Sequence, residues 1–119
     1  MNSKSKSLVL AKSYLGQEVE VTIDRPLGSL HPKHGFLYEV NYGYLKGVKS
    51  PDGEDLDAYV LGIETPLELY KGTVTAIIHR LEDDDDKLVV TPNGTNLTIE
   101  EIDQAVHFQE QWFEHEVII

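Results

Sequence analysis

The chain has 119 residues, 40% hydrophobic and 26% charged, enough for one globular unit with a real core and too ordinary a mixture for disorder throughout. A formal net charge of -11 argues against a general nucleic-acid binder and against adsorption to anionic membranes, since both rely on clustered Lys and Arg. Cysteine is absent, which excludes disulfides, thiolate metal sites and cysteine nucleophiles together.

Residues 1–6 read as a tail, and Ser7 to Tyr14 as a short helix stopping at Gly16. The apolar run Leu8-Val9-Leu10-Ala11 is cut by Lys12, well below the length of a secretory core or a membrane span, so a cytoplasmic protein is expected. The two Asn-x-Thr sequons, at Asn93 and Asn96, are then coincidental. From Glu18 to Asp24, Val19, Val21 and Ile23 alternate with Glu18, Glu20 and Thr22, the period of a half-buried strand. Arg25-Pro26-Leu27-Gly28-Ser29 ends it, because proline and glycine punctuate strands. Leu30 to Gly35 reads as a loop, and Phe36 to Tyr44 as an aromatic, β-prone segment.

Asp57 to Leu61, Thr73 to Arg80 and Lys87 to Thr91 are further strands, the last two joined by the acidic connection Glu82 to Asp86. Short strands at this spacing predict a small barrel or sandwich. Asp83-Asp84-Asp85-Asp86-Lys87 has the form of a protease-cleavage tag, but its place between two strands favours a native acidic hairpin. Thr98-Ile99-Glu100-Glu101 is a capping-box pattern that starts a helix. Ile102, Ala105, Val106, Gln109, Trp112 and Phe113 then recur at helical spacing, a stripe expected to lie against the strands.

The chemistry is concentrated in Asp52-Gly53-Glu54-Asp55-Leu56-Asp57, which runs into the apolar Ala58-Tyr59-Val60-Leu61. Alone, such a run reads as a solvated turn. Here a second acidic run and the upstream cluster Tyr38, Asn41, Tyr42, Gly43 and Tyr44 point to a site. Crowded carboxylates need a counter-ion, and oxygen-only donors suit Mg²⁺, which shares its sites with phosphates. Tyrosine hydroxyls donate to phosphate oxygens without adding charge, although a tyrosine triplet alone is more often sheet core. Among the histidines, His107 and His115 are expected on the surface of the terminal helix and His79 on a strand. His31 and His34, flanking Pro32-Lys33, are the pair to test as ligands or phosphate contacts.

Tyr38-x-x-Asn41-Tyr42-Gly43-Tyr44, followed by Asp52-Gly53-Glu54-Asp55-Leu56-Asp57, resembles the signature of the family I soluble inorganic pyrophosphatases. Lys87-Leu88-Val89-Val90-x-Pro92, preceded by Asp85, is similar to that family's later motif, and the likeness runs from Asp24 onward. The resemblance implies a mainly β fold: a five-stranded OB-like barrel with a C-terminal amphipathic helix. Residues 17–119 would form this domain, after a tail or short helix at 1–16. It implies metal ligation by Asp52, Asp57 and Asp85, with Glu54 as the general base beside the metals. Asp24 stands where the family has a glutamate, and Asp84, Asp83 or Glu82 would be the other loop ligand. Lys87 and Tyr42 match phosphate contacts, and Tyr38 a tyrosine near the site.

The implied activity is hydrolysis of pyrophosphate by metal-activated water, with Mg²⁺ or alternatively Mn²⁺. The family's cationic hairpin is shortened here, leaving Arg25, Lys33, His31 and His34 to replace its positive charge. Asp55 replaces a motif proline, and Trp112 and Phe113 stand where the family has a tyrosine and a lysine. Each lost charged hydrogen bond removes ~1.5–3 kcal/mol, so two alternatives stay open. One is a hydrolase of a nucleotide or other organic diphosphate. The other is a non-catalytic metal-binding barrel, whose exposed aromatic helix end suits a homo-oligomer. No nucleic-acid or membrane partner is expected.

Overall fold

Inward apolar rows on five strands decide the architecture. The computed structural model describes residues 6–119; the tail reading for residues 1–5 lies outside them. The elements run α1 (Lys6–Lys12), β1 (Glu18–Arg25), β2 (Asn41–Lys49), β3 (Asp55–Val60), β4 (Leu69–Arg80), β5 (Lys87–Thr91), α2 (Ile99–Glu110) and β6 (His115–Ile118). The sheet order is β1-β2-β3-β5-β4, and pairing of β1 with β4 closes a five-stranded barrel. The pairs are antiparallel except β3 with β5, and β6 adds to the free end of β4.

Period-two alternation sorts each strand into two layers. Val21, Ile23, Leu56, Ala58, Leu88 and Val90 fill the barrel interior, and Ala11 of α1 packs against the same cluster. Tyr59, Leu61, Ala76, Ile78 and Val89 leave the other side of the wall to meet Ile102, Val106 and Phe108 of α2. Both faces of β3 and β5 are therefore buried, which is why their sequences read as unbroken apolar runs rather than alternating ones. Each large side chain so buried contributes about 1.5–3 kcal/mol. The capping box holds α2 at its start, with Thr98 Oγ1 accepting from the Glu101 amide at 3.0 Å and Glu101 accepting from the Thr98 amide at 2.9 Å.

Two residues of the tyrosine motif are structural. A Cβ on Gly43 would collide with the Thr22 carbonyl on β1, so only glycine lets β1 and β2 approach here. Asn41 is fully buried; its Oδ1 accepts from the amides of Leu27 and Leu67, and its Nδ2 donates to the Thr65 carbonyl. It ties two loops to the start of β2.

The structure corrects three expectations. The strand expected from Phe36 begins only at Asn41; residues 36–40 belong to a loop in which Leu37 bridges Leu30. Trp112 and Phe113 do not continue the helical stripe, because α2 ends at Glu110 and the chain turns, with the Phe113 amide donating to the Glu110 carbonyl. His115 consequently lies on β6 rather than on the helix.

Candidate active site

The parallel register Ala58 with Leu88 places Asp57 beside Lys87 where β3 and β5 begin. The antiparallel register Arg25 with Tyr42 and Tyr42 with Tyr59 brings the end of β1 to the same wall. These strand ends, the loop before β5 and the end of α2 surround a cavity of about 760 Å³. It is lined by the charged residues Asp24, Asp57, Asp85, Arg25, Arg80 and Lys87 and by the rings of His31, His34, Phe36 and Trp112.

Lys87 Nζ donates to Asp57 Oδ2 at 2.8 Å and pairs with Asp85 Oδ2 at 3.1 Å. The lysine side chain is 3% exposed and the two carboxylates about a third exposed, so the acids reach the cavity while the ammonium supports them from beneath. Arg80 lies 3.5 Å from both Asp85 and Asp83, and its guanidinium stacks 3.7 Å over the Phe113 ring. Behind Arg80, Glu110 accepts two hydrogen bonds, at 3.0 Å from Nε and 2.9 Å from Nη2. Tyr59 donates to Glu110 at 2.7 Å, Gln109 Nε2 to the Tyr59 oxygen at 2.7 Å, and Tyr38 to Gln109 Oε1 at 2.7 Å. This buried chain fixes the floor of the cavity, since every polar group in it is satisfied.

Burial raises the Asp24 pKa, with the neighbouring charge of Asp57 adding to the rise and Arg25 opposing it. Burial raises that of Tyr42 strongly, assisted by the charge of Asp57 and a hydrogen bond to it; Tyr42 is therefore a neutral donor at physiological pH. Burial likewise raises Tyr38, against the opposing charge of Arg25.

Of the residues singled out in the sequence, Asp24, Arg25, Tyr38, Tyr42, Asp57, Asp85 and Lys87 come together at the cavity. Asp52, Glu54, Asp84 and Lys33 do not line it. Asp52 Oδ1 accepts from Ser50 Oγ at 2.8 Å and from the Glu54 amide at 2.9 Å, fixing the β2–β3 turn in which Gly53 has φ 88°. The hydrogen bond from the Glu54 amide, then that from the Ser50 hydroxyl, lower its pKa. Glu54 is exposed on the same turn, which ends before β3 begins. Asp84 accepts from the Ser7 amide at 2.9 Å, and Lys33 is exposed on the His31–His34 turn. Asp86 is buried against His79 and the Arg80 amide, at 3.0 and 2.9 Å. With each aspartate from Asp83 to Asp86 partnered, the acidic run is built into the fold. The sequence marked Arg80 only as a strand end and Gln109 only as a position of the helical stripe, not as cavity residues; the one available signal was a basic residue closing an apolar strand immediately before a run of acids.

Among the described residues no group of three or more His, Asp or Glu side chains is arranged to hold a metal ion. Of the three carboxylates on the cavity, Asp57 and Asp85 converge on one ammonium and fit an ion that keeps its waters and completes its shell with substrate phosphates, as Mg²⁺ does. They do not fit a cage supplied by the protein alone.

Neither a family model nor a curated protein sequence matches the chain. Solved structures do. The inorganic pyrophosphatase from Ehrlichia chaffeensis superposes with a TM-score of 0.68 at 14% identity, over 87% of this chain and 86% of that one. The fold is that of the inorganic pyrophosphatases. The enzyme from Neisseria gonorrhoeae matches with a TM-score of 0.62 at 19% identity, over 87% of this chain and 80% of its own. That from Helicobacter pylori matches with 0.59 at 15% identity, over 99% and 85%. The pyrophosphatase-like barrel thus places the cavity at the outer wall of β3 and β5, beneath the end of α2. Among the described residues no helix is long and apolar enough to cross a membrane.

Proposed function

We propose that this protein hydrolyses inorganic pyrophosphate to two phosphates in the cavity between β3, β5 and α2. The observation that carries the reading is the convergence of Asp57 and Asp85 on the buried Lys87, with Tyr42 and Arg80 on the same wall. Three acids facing three bases leave the walls near balance, so a polyanionic substrate needs a further cation. Asp57 and Asp85 would hold Mg²⁺ or Mn²⁺, which when bound supplies neutralisation of the diphosphate and acidification of a water. The remaining steps belong to side chains. Arg80, Arg25 and the Lys87 N–H not spent on Asp57 and Asp85 would hold phosphate oxygens by charged hydrogen bonds, and the protonated Tyr42 hydroxyl would donate one more, without adding charge, once Asp57 turns to the cation. Asp24, which lines the cavity and whose pKa burial raises, would accept a proton from the attacking water. The new P–O bond forms as the bridging P–O bond breaks in line, and the cationic wall stabilises the leaving phosphate.

The test is phosphate release from pyrophosphate by the purified chain, with Mg²⁺, with Mn²⁺ and after chelation. Metal-dependent release is expected; none under any condition contradicts the proposal. A non-catalytic diphosphate-binding barrel is the second reading, favoured by the position of Glu54 outside the cavity. It predicts pyrophosphate binding by calorimetry without turnover.

A further inference from the structure

Pyrophosphate has no apolar surface, yet half of this cavity is made of rings. His31 and His34 lie with centroids 4.8 Å apart, His31 and Phe36 at 4.8 Å, and Phe36 and Trp112 at 5.3 Å. The rings are held in place. His31 Nδ1 accepts from the amides of both Lys33 and His34 at 3.0 Å, so the Pro32-Lys33 turn locks the imidazole plane. Two amides donating to Nδ1 require the neutral imidazole, and burial, then neighbouring His34, Arg25 and Lys33, lower the His31 pKa in the same sense. Phe36 packs edge-on against Phe108 of α2. Trp112 remains 60% exposed beside it. The rings tilt 31–39° against one another, so they brace the exposed Trp112, whose indole face is the one a nucleobase can stack on, since every nucleobase presents a π-face. A volume of about 760 Å³ is that of sites for drug-sized ligands.

From this juxtaposition we infer that the cavity takes a nucleoside diphosphate, its two phosphates on the Lys87–Arg80 side and its base on the Trp112–Phe36–His31 side. The partly wet ring wall favours a flat polar base over a hydrocarbon chain. The inference rests on the phosphate-binding half of the proposed function and adds a second substrate class to the same cavity. In the step so specified, water oxygen bonds to the terminal phosphorus and the P–O–P bridge breaks. The bridging electron pair stays on the nucleoside monophosphate, and the water's protons end on the new hydrogen phosphate and in solvent.

Trp112 is the single tryptophan of the chain, so its emission reports the site directly. The full chain with Mg²⁺ would be titrated with a methylene-bridged adenosine diphosphate, which cannot be hydrolysed, and separately with methylene diphosphonate. Quenching by the nucleoside analogue is expected, with at least about tenfold tighter binding than the diphosphonate. By calorimetry, W112L should lower that affinity ratio about tenfold and W112F should restore part of it. Equal affinities without quenching overturn the inference and leave pyrophosphate hydrolysis standing. Equally tight binding of a long-chain alkyl diphosphate also overturns it. Nucleoside-selective quenching in a chain that releases no phosphate from any diphosphate upholds the stacking site and overturns the proposed hydrolysis instead.

Discussion

Glu110, the last residue of α2, grips Arg80, the last residue of β4, through two hydrogen bonds with the carboxylate fully buried. One contact therefore joins the helix to the barrel and aims a guanidinium at the cavity. Removing Glu110 leaves the buried guanidinium only its longer 3.5 Å contacts to Asp83 and Asp85, and breaking a buried pair costs up to about 3–5 kcal/mol. Glu110→Ala should lower unfolding stability by that amount in urea titration, and Glu110→Gln, which keeps an acceptor, by less. Wild-type stability in both variants would mean that the pair contributes nothing.

The same residue predicts an acid limb of stability. Burial alone would raise the Glu110 pKa, but the hydrogen bonds and charge of Arg80 outweigh it and hold the group below its ordinary value of 4.5. A depressed folded-state value stabilises above the unfolded-state pKa, and that stability is lost as pH falls through the folded one. Wild type should therefore lose more stability than Glu110→Gln on acidification below pH 4.5. Denaturation midpoints measured at stepped pH check this; parallel curves would contradict it. Asp24 and Asp86, raised by burial, act with the opposite sign, and comparison with the variant cancels them.

Lys87→Met retains the buried stem and removes the charge that Asp57 and Asp85 share. Losing one preorganised donor to a developing phosphate charge lowers kcat by about 10²–10³. Steady-state turnover of pyrophosphate measures it, and an unchanged kcat would make the lysine a purely structural counter-ion.

The positions of two carboxylates separate the structure from the sequence motif. Asp24→Asn should lower kcat about 10²–10⁴-fold with KM little changed, as removal of a general base does. Glu54→Gln, on an exposed turn away from the cavity, should alter stability by no more than about 0.5 kcal/mol and spare turnover. The reverse pattern would restore Glu54 to the chemistry.

The barrel was legible because its strands carry strong local signals. Val19, Val21 and Ile23 alternate cleanly, and Lys87 to Thr91 appears as a strand with the bounds expected. The strand β6 was not, since His115 and Glu116 give it no apolar period and it exists only by pairing with Ile77 to Arg80. In the site, Asp57 and Lys87 were recoverable from motif spacing. Which acids share their cavity was not, because that depends on where the β2–β3 turn ends and β3 begins. Asp52 and Glu54 lie three to five residues from Asp57 in sequence, yet fall on the turn side of that boundary. Arg80 is invisible for a related reason: its role comes from Glu110, thirty residues away.

The most direct test is phosphate release from pyrophosphate by wild type and Asp57→Asn side by side, each with Mg²⁺ and with folding verified. Metal-dependent release by the wild type, abolished in the variant, is the predicted result. Equal turnover by the two proteins would contradict the assignment of the Asp57–Lys87–Asp85 cluster as the seat of the chemistry.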